Sequence, residues 1–183
     1  MKIYAFIGVV GSGKDFYTNQ KITELTKLGY RCKHMNFADT VRNEIWHIFG
    51  FKPKDDAEYD LFKKTSIEVN LNRHNNPIIT GREFMERFGT DFVRKYDKEF
   101  WIKAWAKKVK EIENDYDVIL ISDCRYDNEV KYLLENFNAT FMYCNYISDR
   151  YEIRETKPEK FAQRFLNLDD KTDITQKLKE ILI

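Results

Sequence analysis

The sequence lacks several features that would place it in familiar classes of protein. It has no internal repeat, low-complexity tract or linker, so its 183 residues favour one domain with insertions. No apolar run approaches the roughly 20 residues that a membrane-spanning helix needs. There are only three cysteines, and their odd number and wide spacing favour reduced core thiols over disulfides or a zinc site. Charge of one sign is not in excess, because 31 basic residues stand against 30 acidic ones.

These absences narrow the range of functions. The net charge of +1 argues against a nucleic-acid-binding protein that acts through its overall electrostatic field. The first predicted strand follows Met1 almost directly and leaves no room for a removable signal, so we expect a cytoplasmic protein without membrane association. Hydrophobic residues make up 43% of the chain, which is enough to form a core.

Periodicity of the apolar residues predicts strands that alternate with helices. The predicted strands cover residues 3–10, 30–37, 118–122 and 139–145. The predicted helices cover residues 14–28, a segment that Asp39 opens, and residues 82–92, 97–112, 128–137 and 172–182, whereas residues 50–77 are expected to form helix plus loop. This alternation predicts a three-layer α/β fold with a central parallel sheet, in which ligands bind at the carboxyl ends of the strands.

The first of these strand ends carries a phosphate-loop pattern. The segment from Gly8 to Lys14 matches G-x-x-x-x-G-K and lies between a predicted strand and a predicted helix. Glycines let the backbone turn tightly and direct its N–H groups at phosphate oxygens, and the N-terminus of the helix adds its positive dipole. A glycine-rich turn that binds nothing is the alternative. The sequence predicts a P-loop NTPase fold whose nucleotide-binding residues are Gly8, Gly11, Ser12, Gly13, Lys14 and Asp15.

Three carboxylates are candidates for the same region. Asp15 stands where most P-loops carry Ser or Thr, and its carboxylate can hold Mg²⁺ or simply complement the helix dipole. Asp123 closes an apolar strand, so it is predicted either to organise Mg²⁺ with Asp15 or to cap the next segment. Asp39 follows another strand and is predicted to contact substrate, with a helix N-cap as the alternative.

Arginines are expected to bind the acceptor and to neutralise the migrating phosphoryl group, because the planar guanidinium grips phosphate through two hydrogen bonds. Arg42, Arg82 and Arg94 are the candidates for acceptor binding, although each taken singly is often a solvated surface residue. Arg125 leaves the same strand end as Asp123 and is predicted to reach the phosphate cleft. A polar stretch after the last predicted strand is expected to form a lid at about residues 146–168 with Arg150, Arg154 and Arg164.

Several motifs together resemble one family. They are Gly11-Ser12-Gly13-Lys14-Asp15, Phe37-Ala38-Asp39, Gly81-Arg82-Glu83, Gly89-Thr90-Asp91 with Arg94, Trp101, and Asp123-Cys124-Arg125-Tyr126-Asp127-Asn128-Glu129. In order and spacing they resemble the deoxynucleoside monophosphate kinases found largely in bacteriophages, over residues 1 to about 130.

The resemblance implies ATP-dependent phosphorylation of a deoxynucleoside 5′-monophosphate to its diphosphate, with Mg²⁺ and with small-molecule nucleotides as substrates. It implies that Asp15 is a family feature and that Arg82 and Arg94 are the better candidates for the acceptor phosphate. Together with the phosphate-loop pattern, we expect Lys14, Asp15, Arg82 and Arg125 to be catalytic and about residues 40–112 to hold the acceptor. Related sequences often carry Gln where this chain has Glu86, and a carboxylate at that position would alter which base is accepted if it contacts the base edge.

Other interpretations remain open at this point. The Gly-Lys-Asp loop also resembles phosphomevalonate kinases of animal type, which leaves room for another small phosphorylated metabolite as acceptor. A nucleotide-binding NTPase without an acceptor is a further alternative, but the arginines between residues 82 and 94 favour a kinase. The apolar stripe of the Trp101 helix is predicted to form either ordinary core or the seam of a homodimer.

Overall fold

The computed structural model describes residues 1–8, 11–68, 78–147 and 150–156; for residues 68, 145–147 and 150–156 it describes the backbone alone. The strands are β1 (Lys2–Ile7), β2 (Cys32–His34), β3 (Ser66–Glu68), β4 (Ile78–Thr80), β5 (Val118–Ile121), β6 (Thr140–Ile147) and β7 (Arg150–Thr156). The helices are α1 (Lys14–Lys27), α2 (Phe37–Phe49), α3 (Asp56–Lys64), α4 (Gly81–Glu86), a π-helical segment Arg87–Val93, α5 (Arg94–Tyr96), α6 (Phe100–Glu111) and α7 (Asp127–Phe137). These elements form two compact units, the first from Met1–Phe37 with the described residues from Ile102 onward and the second from Ala38–Trp101.

The first unit contains the predicted parallel sheet. Its strands lie in the order β2-β5-β1-β6-β7, and the first four are mutually parallel. Alternate residues of β1 face opposite layers: Ile3 packs in the cluster that contains α6 and α7, whereas Phe6 packs with Leu25 of α1. All four residues of β5 are buried, as a strand covered on both faces requires. The three-layer α/β fold is therefore confirmed.

The first unit departs from expectation at its last strand. Residues after 145 were expected to form a polar lid segment, but Arg150–Thr156 is a strand that pairs antiparallel with β6. Its sequence alternates apolar Tyr151 and Ile153 with charged residues, which is the pattern of a half-exposed strand. Only the backbone of Arg150 and Arg154 is described, and the rest of the predicted lid, Arg164 and the predicted helix 172–182 lie outside the described residues.

Two element boundaries were wrong at the phosphate-binding edge. The first strand ends at Ile7 rather than at residue 10, because the loop begins at Gly8. Helix α2 begins at Phe37, so Asp39 lies inside its first turn and is not the N-cap. Asp123 Oδ1 accepts the Phe37 N–H at 3.0 Å, which supplies a partner for that helix start.

The second unit is mainly helical around a small aromatic core of Ile45, Trp46 and Phe62. Residues 50–77 were expected to form helix plus loop, but β3 pairs antiparallel with β4 to form a two-stranded sheet. Strands this short carry too little alternation to be recognised in sequence. The predicted helix 82–92 is interrupted by the π-helical segment, in which the Gly89 carbonyl accepts the Trp101 Nε1 hydrogen at 2.9 Å.

The apolar stripe on α6 is core. Trp105 and Val109 are fully buried in the first unit, and the Trp105 Nε1–H donates to the Met35 carbonyl at 2.8 Å. Cys32, Cys124 and Cys144 are free thiols; Cys124 and Cys144 are buried, as expected for core thiols, whereas Cys32 is only partly buried. Within the described residues, no helix combines the length and the hydrophobicity that crossing a membrane demands.

Burial predicts where the first unit is most sensitive to truncation. Ile119 of β5 is fully buried, so Ile119→Ala should lower the free energy of unfolding by about 2–5 kcal/mol through lost burial and a residual cavity. Ile48→Ala is the matched control, because Ile48 is 59% exposed and the same change there should cost less than about 0.5 kcal/mol. Urea denaturation measures both values, and similar losses at the two positions would contradict this account.

Candidate active site

The candidate site lies at one edge of the parallel sheet. The phosphate loop follows β1, Ser122 and Asp123 follow β5, and Asn36 follows β2. Because these three strands are parallel and adjacent, their carboxyl ends meet at the same edge, where ligands bind in open α/β sheets. The sequence prediction of a shared edge for the loop and Asp123 is thus realised in the first unit.

The loop has a backbone that only glycine tolerates. Gly8, Gly11 and Gly13 have φ angles of 153°, 80° and 79°, in the region that L side chains rarely adopt. A Cβ on Gly8 would also collide with the Cys144 carbonyl oxygen and lie 2.6 Å from Ser12 Oγ. Gly13 precedes α1 without a side-chain cap among the described residues, so the first N–H groups of that helix keep the capacity to bind an anion.

Ser12 provides a direct test of whether a phosphate fits this loop. Its side chain is completely buried, and its Oγ has no hydrogen-bond partner within the described part of the chain. A buried hydroxyl without a partner costs about 1–3 kcal/mol, so such groups call for an explanation. Phosphate oxygens in the loop would supply the missing partner, so this loop suits a nucleotide phosphate.

Lys14 lies among the charges of the same site. Its Nζ donates to the Gly8 carbonyl at 2.9 Å, so the ammonium folds back over the loop. Burial lowers the pKa of Lys14, and the positive charge of Arg125 lowers it further, whereas Asp15 and Asp123 oppose this shift. Burial raises the pKa of the neighbouring Cys144 thiol to about 12, so that thiol stays neutral. The positive charge of Arg125 therefore acts on the Lys14 ammonium.

Asp15 is exposed at the start of α1, and one of its oxygens is held by the end of β5. Ser122 Oγ donates to Asp15 Oδ1 at 2.5 Å. Ser122 is itself contacted by Asn36 Nδ2 at 3.1 Å and by His34 Nε2 at 3.0 Å. Sequence reasoning missed Ser122, Asn36 and His34; their positions at the ends of two strands, next to the predicted Asp123, were the signal that could have found them.

The turn that carries Arg125 is held by Glu129. This buried carboxylate accepts the N–H groups of Arg125 at 2.7 Å and of Tyr126 at 3.0 Å. The Asp123–Glu129 motif thus contains one residue that fixes the loop and one, Arg125, whose exposed side chain extends from it.

Among the described residues, no group of three or more His, Cys, Asp or Glu side chains is placed to hold a metal ion. Mg²⁺ bound with a nucleotide keeps several waters and takes one or two carboxylates besides phosphate oxygens. Asp15 and Asp123 offer two such carboxylates in the first unit, although Asp123 Oδ1 also serves the start of α2.

In the second unit, the motif Gly81-Arg82-Glu83 separates into structural and exposed members. A Cβ on Gly81 would collide with the Phe62 carbonyl oxygen, so only glycine fits there. Glu83 forms a capping box with Thr80, and these hydrogen bonds lower the pKa of Glu83. Arg82 has no such role: its side chain is 71% exposed, and its Nε contacts Glu86 Oε1 at 3.0 Å.

The two other candidate arginines of this unit differ in their surroundings. Arg42 contacts Asp39 Oδ1 at 2.8 Å, and its guanidinium lies 5.2 Å from the centroid of the Tyr59 ring. Arg94 begins α5 and is partly buried. Predicted Asp39 is thus an ion-pair partner of predicted Arg42.

The family model for deoxynucleotide monophosphate kinase matches residues 7–158. The chain belongs to the deoxynucleotide monophosphate kinase family. A search of curated proteins found no significant match.

Membership establishes a nucleoside monophosphate kinase, a phosphotransferase with the P-loop kinase fold. The matched region of this kinase begins at the end of β1 and runs through β7. It therefore includes the phosphate loop, the candidate carboxylates Asp15 and Asp123, and the candidate arginines of the second unit. The resemblance inferred from the short motifs is confirmed.

The backbone of the kinase loop predicts a selective effect of substitution. Gly8→Ala should weaken binding of ATP, used as the probe, at least about tenfold, because the new Cβ meets both Ser12 Oγ and the Cys144 carbonyl. Gly29→Ala is the control: its φ is also positive, at 90°, but no atom lies within 4 Å of its added Cβ. Calorimetric titration should show near-normal affinity for the control, and equal losses would refute the role of Gly8.

Proposed function

We propose that this kinase transfers the γ-phosphoryl group of ATP directly and in line to a deoxynucleoside 5′-monophosphate, without a phosphoenzyme. The observation that carries the proposal is the phosphate loop. In it a buried hydroxyl that has no partner among the described residues lies together with left-handed glycines and a lysine. This set of donors suits the triphosphate of ATP, and family membership supplies the deoxynucleotide acceptor.

In this proposal the loop binds the donor. N–H groups around Gly8, Gly11 and Gly13 and at the start of α1 hold phosphate oxygens. Ser12 Oγ, which has no partner within the described part of the chain, gains one, and the Lys14 ammonium exchanges the Gly8 carbonyl for the β and γ phosphates. The Lys14 ammonium lies in the field of one positive charge, Arg125, and of the carboxylates Asp15 and Asp123, which supports such an exchange.

Asp15 and Asp123 are the residues that would hold Mg²⁺, and the ion would neutralise charge between the β and γ phosphates. Arg125 shares the electrostatic environment of Lys14, which supports a role in stabilising the charge of the transferring group. The acceptor phosphate is largely deprotonated at neutral pH, so the reaction needs no strong general base.

We propose that the second unit binds the acceptor through Arg42, Arg82 and Arg94. Arg82 is the best supported, because the fold itself requires its neighbours Gly81 and Glu83 but makes no such use of the Arg82 guanidinium. Its pair with Glu86 is exposed, and such pairs contribute about 0–1 kcal/mol, so a phosphate dianion can displace the carboxylate. Released Glu86 then remains a candidate contact for the base. Asp39 remains a candidate through its ion pair with Arg42.

The other expectations remain predictions: action in the cytoplasm, which is the host cytoplasm for a bacteriophage protein, no nucleic-acid partner, a lid at about residues 146–168, and a homodimer. A panel of the four deoxynucleoside monophosphates and their ribose counterparts with ATP tests the acceptor. Stimulation of ATP consumption by a deoxynucleotide supports the proposal. Consumption that no monophosphate stimulates, or that only another phosphorylated metabolite stimulates, would overturn it.

Lys14→Ala should lower kcat by about a hundredfold or more, because the variant loses the ammonium that stabilises negative charge on the β and γ phosphates in the transition state. Lys110→Ala, on the exposed side of α6, is the control and should retain normal kcat. Circular dichroism checks that both variants are folded. Normal turnover of Lys14→Ala would remove this lysine from the site.

Arg82→Ala should raise KM for the deoxynucleotide about tenfold or more while KM for ATP changes little, because in this proposal the Arg82 guanidinium binds only the acceptor phosphate. Glu86→Gln provides the companion measurement: it removes the competing charge beside Arg82, so KM for the acceptor should stay equal or fall unless Glu86 reads the base. Steady-state kinetics with each substrate varied separates these effects, and an unchanged acceptor KM in Arg82→Ala would exclude Arg82.

A further inference from the structure

A carboxylate stands at the loop position that usually carries a hydroxyl. In most P-loop NTPases a Ser or Thr of the loop and an Asp from a neighbouring strand end hold the magnesium. In this chain Asp15 occupies the loop position, and Ser122 lies beside Asp123 at the end of β5. The Ser122 hydroxyl contacts the Asp15 carboxylate, so the end of the sheet holds the first turn of α1.

The hydrogen bonds of Ser122 leave its hydroxyl one orientation. A hydroxyl has one hydrogen to donate and two lone pairs to accept with, and Ser122 Oγ has four polar neighbours. They are Asp15 Oδ1 at 2.5 Å, His34 Nε2 at 3.0 Å, Asn36 Nδ2 at 3.1 Å and Asn36 Oδ1 at 3.2 Å. Two of them are acceptors, and Ser122 gives its hydrogen to Asp15 because that oxygen is much the nearer one, whereas Asn36 Oδ1 already accepts the Ser122 N–H. Both lone pairs then accept, from the Asn36 amide and from the His34 ring.

The Asn36 side chain is held in the orientation that this scheme needs. Its Oδ1 accepts the Ser122 N–H at 2.8 Å, which turns the Nδ2 group toward Ser122 Oγ. The preceding residue, Met35, continues the ladder between β2 and β5 by donating its N–H to the Leu120 carbonyl at 3.0 Å. Ser122 itself is only 4% exposed. The hydroxyl is thus oriented by the sheet and not by solvent.

We infer that Ser122 is a positioning residue: its sheet-oriented hydroxyl fixes one oxygen of Asp15 and thereby directs the other toward the metal–nucleotide complex. The inference rests on the proposed function, because it assigns Asp15 to the metal. It differs from a merely structural tie between α1 and β5, since it predicts a loss confined to the metal. A structural tie would loosen the whole loop.

The test measures metal and nucleotide binding separately rather than turnover. Mn²⁺, followed by electron paramagnetic resonance, is titrated into protein saturated with a non-hydrolysable ATP analogue, and the analogue alone is titrated in EDTA by calorimetry. Ser122→Ala should weaken Mn²⁺ binding about tenfold, equivalent to about 1.4 kcal/mol. Its affinity for the metal-free analogue should stay within about twofold of wild type.

Two further variants decide whether Ser122 acts through Asp15. Thr23→Ala removes an exposed hydroxyl of α1 that donates within its own helix, and it should leave both affinities unchanged. In an Asp15→Ala background, Ser122→Ala should cause no further loss of Mn²⁺ affinity, because no carboxylate remains to be positioned. A further loss in that background, an unchanged Mn²⁺ affinity in Ser122→Ala, or an equal loss of metal-free analogue would each overturn the inference.

Asn36→Asp gives an independent route if Ser122→Ala is too unstable by thermal unfolding. The change keeps an acceptor for the Ser122 N–H but replaces the donor by a second carboxylate, which competes with Asp15 for the Ser122 hydrogen. The same selective loss of Mn²⁺ affinity is expected, and normal affinity would refute the scheme. If wild-type protein binds no Mn²⁺–nucleotide complex, the proposed function itself fails and the inference falls with it; wild-type binding with unaffected variants defeats the inference alone.

Discussion

The turn after β1 is the constraint on which the site depends. Its backbone passes so close to the Cys144 carbonyl that position 8 admits no side chain. In the same turn, Ser12 Oγ is buried without a partner among the described residues. The Lys14 ammonium donates a hydrogen bond to the Gly8 carbonyl. A stable domain tolerates few such arrangements, and they concentrate at ligand sites, where the ligand supplies the missing interactions. Preorganisation for binding an anion therefore explains why the loop keeps this unfavourable conformation.

The same division between structural and exposed residues runs through the family motifs. Gly81 is required by its approach to Phe62, and Glu83 by the cap of α4, so the fold accounts for two letters of that motif. Arg82 is explained by neither packing nor capping. In the Asp123–Glu129 motif, Glu129 holds the turn from which Arg125 extends. Short motifs in this kinase therefore alternate between residues that shape a turn and residues that the turn presents.

Much of the first unit was predictable because its signals are local. A segment of about ten residues is enough to recognise the phosphate loop, the buried run of β5 or the stripe on α6. Strand β7 was missed because charged residues dominated its composition, and β3–β4 because each strand has only three residues. The contacts of Ser122 were not predictable, since they join residues 86 and 107 positions apart. Spacing in sequence says little about such partners.

The positions of the Asp15 carboxylate and the Ser122 hydroxyl have an energetic explanation. Position 122 is almost fully buried between β2 and the loop, where an ionised carboxylate would cost several kcal/mol unless it were fully paired. A serine with all three hydrogen bonds made costs little there. Asp15 is exposed in the first turn of α1, where water and the helix dipole both stabilise its charge. The carboxylate charge therefore lies at the exposed position, where its desolvation cost is low, and the buried Ser122 hydroxyl orients it.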